Sequence, residues 1–402
     1  MAMPLMLPIA GLPHPRPSRY GNPMQFDLTD DQRAIQDMAR RFTADEITPQ
    51  AARWDEHHIF PVETIRKAAA LGFGAIYVSE SSGGIGLGRV EAALVMEAMA
   101  EGCPSTSAFI SIHNMAAWMI DRFGAGPVRE AFLPSLVSME RIASYCLTEP
   151  GSGSDAAALK TSAVRDGDHY VVTGSKAFIS GGGANDLYVT MVRTGEPGPK
   201  GISCLVIEKD QPGVSFGANE RKLGWHSQPT ALVHFDGVRV PVENRVGAEG
   251  EGFRIAMAGL DGGRLNIGAC SLGGAQRALD EAIRYTKERR QFGQPIADFQ
   301  ATQFALADME TELQAARALL YMAAAKVEAG APDKTKFAAM AKRLATDTGS
   351  AVVDRALQLH GGYGYLMDYP VERLWRDLRV HRILEGTNEI MRVIVARELL
   401  RQ

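Results

Sequence analysis

Apolar positions divide the chain into three textures. From about Leu28 to Ser144 they recur every three or four residues, the spacing of one face of a helix. Thr29-Asp30-Asp31-Gln32 matches a capping box, with Thr as N-cap and Gln at the third helical position, and Ile35, Met38 and Ala39 begin the apolar stripe. Pro61-Val62-Glu63-Thr64 opens a second helix and Val90 to Ala100 carries a third, with the glycine-rich run Gly83 to Gly88 as the loop between them. From about Tyr145 to Gly250 the period shortens. Tyr170–Thr173, Leu187–Val192, Ile202–Glu208 and Ala231–Phe235 are short, rich in β-branched and aromatic residues, and set off by Gly, Asp and Pro clusters. No segment between them is long enough for a crossover helix, so antiparallel strands are expected.

Beyond about Phe253 the helical period returns in three long segments. They run roughly Arg264–Arg290, Gln300–Ala329 and Asp333–His360, and end at Gly293/Pro295, Gly330/Pro332 and Gly361-Gly362. Short connections between helices of that length predict an antiparallel four-helix bundle. The fold class expected is therefore α+β and multidomain. Residues 1–24 form a leader, 25–144 a helical domain, 145–252 an antiparallel β-barrel or sandwich, and 253–402 the bundle. The leader is Pro-rich and lacks the basic start of a signal peptide, so it reads as disordered or as an over-extended start.

Composition narrows the class of partner. With 46% hydrophobic and 22% charged residues, 402 residues suffice for more than one packed core. A net charge of −4 without a basic run argues against nucleic acid. No apolar run reaches membrane-spanning length, so no membrane insertion is expected. Cys103, Cys146, Cys204 and Cys270 are widely spaced and read as buried thiols in a reducing compartment. The nine histidines show no ligand spacing, and no metal is expected.

Chemistry concentrates in a few runs. Gly151-Ser152-Gly153-Ser154-Asp155-Ala156 formally fits a dinucleotide fingerprint, but Pro150 precedes it and a turn at Arg165-Asp166-Gly167 follows too soon for a crossover, so that fold is rejected. With Tyr145 to Glu149 it forms a glycine- and hydroxyl-rich stretch at the helical-to-β boundary, and Phe178 to Asn185 is a second. Each alone is equally a β-turn; together they suit a polar ring-shaped ligand. Arg289 and Arg290 end a long helix, where they complement its dipole or meet a phosphate. Gln358 to Gly362 reads as a glycine C-cap as readily as a site. Glu385 stands at a break: Leu374 to Leu384 is helical in pattern, Gly386 interrupts, Thr387 or Asn388 can cap, and Ile390, Val393 and Ile394 resume. A carboxylate held there is a candidate base, and a solvated surface Glu is the alternative.

These runs, in this order and separation, resemble the acyl-CoA dehydrogenase family from about Phe26 to Leu400. Tyr145–Asp155, Arg289–Gly293, Gln358–Gly362 and Glu385–Glu389 carry the likeness. Gly224–Thr230, Gly262–Ile267 and Val380–Gly386 are similar to the branch that takes short branched acyl groups. The resemblance implies an FAD enzyme in which a carboxylate takes the α proton of an acyl-CoA while the β hydride goes to the flavin. Burial strengthens such a base, and donors aimed at the thioester oxygen stabilise the enolate. The family's donors are a flavin ribityl hydroxyl and the N–H of the catalytic glutamate.

Carried over by motif, Glu385 is the base. Tyr145, Leu147, Thr148, Gly153, Ser154, Phe178, Ile179 and Ser180 are expected along the flavin. Arg289, Gln291, Phe299, Gln300, Gln358, Leu359, His360, Gly361 and Gly362, with Thr387, Asn388 and Glu389, are expected to hold FAD, partly from a neighbouring subunit. Ser154, Asp261, Gly262, Gly263, Arg264 and Arg397 are expected on the substrate side. Many family members have Trp and Thr where this chain has Phe178 and Ser180. A branch of the family places its base at the position of Gly263, which has no side chain to serve. The implied partners are acyl-CoA, electron-transfer flavoprotein and further copies of the chain in a homotetramer. The implied location is cytoplasmic in a bacterium and the mitochondrial matrix in a eukaryote. Isobutyryl-CoA is the expected substrate; 2-methylbutyryl-CoA, a straight short chain, and a DNA-associated or interaction protein on the same scaffold are the alternatives.

Overall fold

The computed structural model describes residues 27–401, and the expected leader lies outside them. Six helices come first: α1 Asp30–Phe42, α2 Ala51–Glu56, α3 Val62–Ala70, α4 Arg89–Gly102, α5 Pro104–Phe123 and α6 Gly126–Val137. The capping box forms as its residues predict. Thr29 Oγ1 accepts from the Gln32 N–H at 3.2 Å, and Gln32 Oε1 accepts from the Thr29 N–H at 3.1 Å. Helices α4 and α5 are buried on nearly all sides, because small residues let neighbours approach from every direction.

The strands are β1 Ala143–Cys146, β2 Ser162–Asp166, β3 His169–Ser180, β4 Leu187–Arg193, β5 Ile202–Glu208, β6 Val214–Phe216, β7 Thr230–Pro241 and β8 Arg245–Val246. Their order is β6-β7-β3-β2-β4-β5-β8, with β1 beside β4. Most pairs are antiparallel, but β1 and β4 run parallel with Ala143 opposite Leu187, and β2 meets β4 in parallel at one pair. The expectation of purely antiparallel strands fails there. The link from β1 to β4 passes through the β2–β3 hairpin, which does a crossover helix's job of reversing the chain. Strand β4 is buried on both faces. Leu187, Val189 and Met191 pack with α5, α6 and α7, while Tyr188 and Val192 face the strand interior.

Helix α7, Gly252–Glu288, starts a dozen residues before the expected Arg264, the glycines of its first half being absorbed by close helix packing. A small hairpin, β9 Arg290–Gln291 and β10 Gln294–Pro295, leads to α8 Gln300–Glu328, α9 Lys334–His360, α10 Pro370–Arg379 and α11 Asn388–Leu400. Helices α7, α8 and α9 pack on one another, and α10 and α11 lie against α9. One apolar core joins these helices to α1, α4 and α5, so the first and last helical regions are a single packed body. The sheet rests against it through α5 and α7.

Candidate active site

Helix α10 runs out at Arg379 into a single 3₁₀ turn, Val380–Arg382. The chain then reverses at Glu385 (φ 54°) and Gly386 (φ 94°) before Thr387 caps α11, its Oγ1 accepting from the Ile390 N–H at 3.3 Å. A glutamate in the left-handed region costs about 1–3 kcal/mol and persists only where its surroundings hold it. Two cations do so. Arg264 Nε donates to the Glu385 carbonyl at 3.3 Å. Lys342 Nζ donates at 2.9 Å to the Gly386 carbonyl and at 2.9 Å to Asn388 Oδ1. Residue 386 favours glycine because its φ of 94° is one that side chains rarely adopt.

Among the described residues the Glu385 carboxylate is left unpaired. Its Oε2 is buried without a hydrogen-bond partner, because the nearby cations are committed elsewhere. Arg264 Nη1 pairs with Asp261 Oδ1 at 2.8 Å, and Asp261 Oδ2 accepts from the Thr335 hydroxyl at 2.7 Å. Burial therefore raises the Glu385 carboxyl from 4.5 to about 7, against the charges of Lys342 and Arg264. Glu385 is half-buried and lines a cavity. On the opposite wall Gly263 supplies the space, since a Cβ there would lie 2.5 Å from Oε2. Burial pulls Lys342 down to about 8, with Glu385 opposing the fall.

The cavity has a volume of about 1460 Å³. Its lining brings together Tyr145, Leu147, Thr148, Gly153, Ser154, Phe178, Ile179, Ser180, Asp261, Arg264, Glu385, Thr387 and Arg397. The Gly151–Ala156 run is a turn closed by a Glu149–Ser152 bridge and not a strand-to-helix loop, as the rejection of the dinucleotide fingerprint requires. It is anchored from below by the buried pair Lys176–Glu149 at 2.8 Å, with Lys176 Nζ also donating to the Leu147 carbonyl at 3.1 Å. Phe178 and Trp225 share a left-handed φ of 58°, and Phe178 is 68% exposed at the cavity. The Tyr145 hydroxyl is buried with no partner among the described residues. An exposed aromatic face, an orphaned hydroxyl and open space around Gly151 and Gly153 fit a planar ligand with a polar edge.

Seven of the expected cofactor residues lie elsewhere. Arg289, Gln291, Gln358, Leu359, His360, Gly361 and Gly362 line a separate surface cleft of about 440 Å³ with Tyr285 and Tyr363. Phe299, Gln300, Asn388 and Glu389 line neither space. Asn388 is instead buried as a bridge, donating to Thr346 Oγ1 at 3.0 Å and Asp347 Oδ1 at 2.9 Å. Gly262 and Gly263 stand behind the wall and act by lacking side chains. The sequence left Lys342, Arg89, Tyr77 and Trp118 unmarked. A lysine among alanines on the apolar face of α9 was the available signal for Lys342; for the others the sequence offers none.

A helical body, a sheet and a bundle enclosing a cavity with one unpaired buried glutamate define the architecture of an acyl-CoA dehydrogenase. The descriptions Acyl-CoA dehydrogenase N-terminal, middle and C-terminal domain match residues 29–140, 144–238 and 250–400, and the chain belongs to that family. It is 58% identical over 373 residues to the mitochondrial isobutyryl-CoA dehydrogenase of Dictyostelium discoideum, covering 92% of this chain and 90% of that protein. The butyryl-CoA dehydrogenase structure from Megasphaera elsdenii superposes with TM-score 0.91 at 38% identity, covering 94% of this chain and all (100%) of that one. PigA with FAD and proline gives TM-score 0.91 at 31% identity, with 94% and 100% covered. Among the described residues no helix is long and apolar enough to cross a membrane.

Proposed function

We propose that this chain dehydrogenates a short branched acyl-CoA, isobutyryl-CoA first, to the 2-enoyl-CoA, with Glu385 as base. One observation carries it: a carboxylate buried at a cavity wall, unpaired at Oε2 and lifted to about 7, is half-ionised near neutrality and set against the space a substrate would fill. The rigid left-handed turn fixes its direction, and Gly263 clears its approach. Glu385 takes the α proton. Its own N–H makes no backbone hydrogen bond among the described residues, which leaves it free to donate to the thioester oxygen as charge develops there.

FAD, when bound, supplies the acceptor for the β hydride. Tyr145, Leu147, Thr148, Phe178, Ile179 and Ser180 would hold its ring, and Ser154, Asp261, Arg264 and Arg397 flank the substrate. Arg289, Gln291 and the Gln358–Gly362 run, in their separate cleft, would hold FAD of a neighbouring subunit in a homotetramer. Electron-transfer flavoprotein is the partner that reoxidises the flavin. The isobutyryl-CoA dehydrogenase relative supports the acyl choice, and the PigA complex supports FAD. Anaerobic titration of the flavin-loaded protein with a panel of acyl-CoAs, followed by flavin absorbance, tests the whole. Isobutyryl-CoA should bleach it fastest, and a straight medium chain winning by a wide margin overturns the acyl choice.

A further inference from the structure

Among the charged side chains of the cavity wall that the proton transfer does not use, Arg89 is set deepest in the protein's aromatic packing. Arg89, the first residue of α4, is only 6% exposed. Its guanidinium carbon lies 3.8 Å from the centre of the Tyr77 ring and 4.7 Å from that of Trp118. Helix α7 makes room for it at Gly262, where a Cβ would collide with Nη1. The neighbouring Glu328 carboxylate accepts from the Arg89 backbone N–H at 2.9 Å and makes no ion pair with the guanidinium. The two rings are the guanidinium's neighbours, and Arg89 is part of the cavity lining.

Its position relative to the base follows from α7. Successive residues serve the two groups: Gly262 is bare against Arg89, and Gly263 is bare against Glu385. The Tyr77 phenol, raised by burial, feels both charges, Arg89 lowering it and Glu385 raising it. Ile112, Met115 and Trp118 of α5 line the cavity beside the cation.

We propose that Arg89 determines the length and polarity of the acyl group: its guanidinium closes the acyl end of the cavity, so a short chain stops against it. A longer apolar chain must push the cation out of its slot between two rings, and a buried cation with no ion pair among the described residues resists that. The proposal rests on the acyl-CoA function above.

The test compares kcat/KM for isobutyryl-, butyryl-, hexanoyl- and octanoyl-CoA in the flavin-loaded wild type, Arg89→Ala and Arg89→Met. A second readout is the Kd of a non-oxidisable thioether analogue of each chain length. Arg89→Ala should raise the hexanoyl-to-isobutyryl ratio by at least about tenfold, in line with what apolar pockets gain per methylene, and the analogue Kd values should follow. Arg89→Met, similar in length and uncharged, should shift the ratio the same way by less, and it carries the test if the alanine variant fails to fold. An unchanged chain-length profile in folded, flavin-loaded variants overturns the role of Arg89. A wild type that reduces with no acyl-CoA overturns the function instead.

Discussion

Replacing Glu385 with glutamine keeps the shape of the side chain and removes its capacity to take a proton. Two independent consequences follow. The first is kinetic. Loss of a positioned general base costs about 10²–10⁴-fold, so Glu385→Gln should stay yellow and FAD-loaded yet resist bleaching by isobutyryl-CoA on the wild-type timescale. The second is thermodynamic and needs no substrate. The rise from 4.5 to about 7 means that the folded protein holds the protonated carboxyl better than the unfolded chain does. That contribution is fully present below 4.5 and is lost as pH climbs through 7, a loss of about 3 kcal/mol at the alkaline end. The amide does not titrate, so the variant keeps what the wild type loses. Apparent melting temperatures from pH 5 to pH 8.5 should therefore diverge in favour of Glu385→Gln as pH rises. Normal bleaching in the variant would refute the assignment of the base. A difference in melting temperature that is flat with pH would refute its buried, unpaired state.

Three further outcomes follow from the same geometry. Wild-type kcat/KM should rise about tenfold per pH unit below the Glu385 value and level off above about 7, because only the ionised carboxylate accepts the proton; a profile flat down to pH 5 contradicts it. Lys342→Met removes a charge that holds the Glu385 carboxyl down, so the acid limb should move to higher pH. The same change leaves the Gly386 carbonyl without its Lys342 donor and Asn388 Oδ1 with only the Thr346 hydroxyl, at a cost of about 1–3 kcal/mol. An unmoved limb in a folded variant would reject the coupling. Gly263→Ala places a Cβ 2.5 Å from Glu385 Oε2, and displacing the base by about 1 Å should slow flavin reduction roughly 10²-fold; a wild-type rate would show that the carboxylate points elsewhere.

Much of the frame could be read from local pattern. The capping box at Thr29 and the glycine stops at Gly330 and Gly361 depend on residues within a turn of each other, so the sequence carries them directly. The parallel pairing of β1 with β4 does not. It joins residues more than forty positions apart, and which strand fills that place is settled by the packing of Leu187, Val189 and Met191 against α5, α6 and α7. The long start of α7 was hidden for a related reason. Glycines that read as breakers become close-packing points when another helix approaches, as Gly259 does against Met119.

At the site the same division holds. The sequence by itself determined that a carboxylate stands at a helix break beside a glycine, and its motifs were enough to single out Glu385. Tertiary structure decided that this carboxylate is buried, without a partner at Oε2, and raised to about 7. Arg264 is drawn off to Asp261, and Lys342 is spent on the Gly386 carbonyl and Asn388. Gly263, from a helix more than a hundred residues upstream, leaves bare space opposite Oε2. Each of these is a question of which charges and which empty volume lie within a few ångströms. Proton affinity follows that surrounding, and no local pattern around residue 385 encodes it.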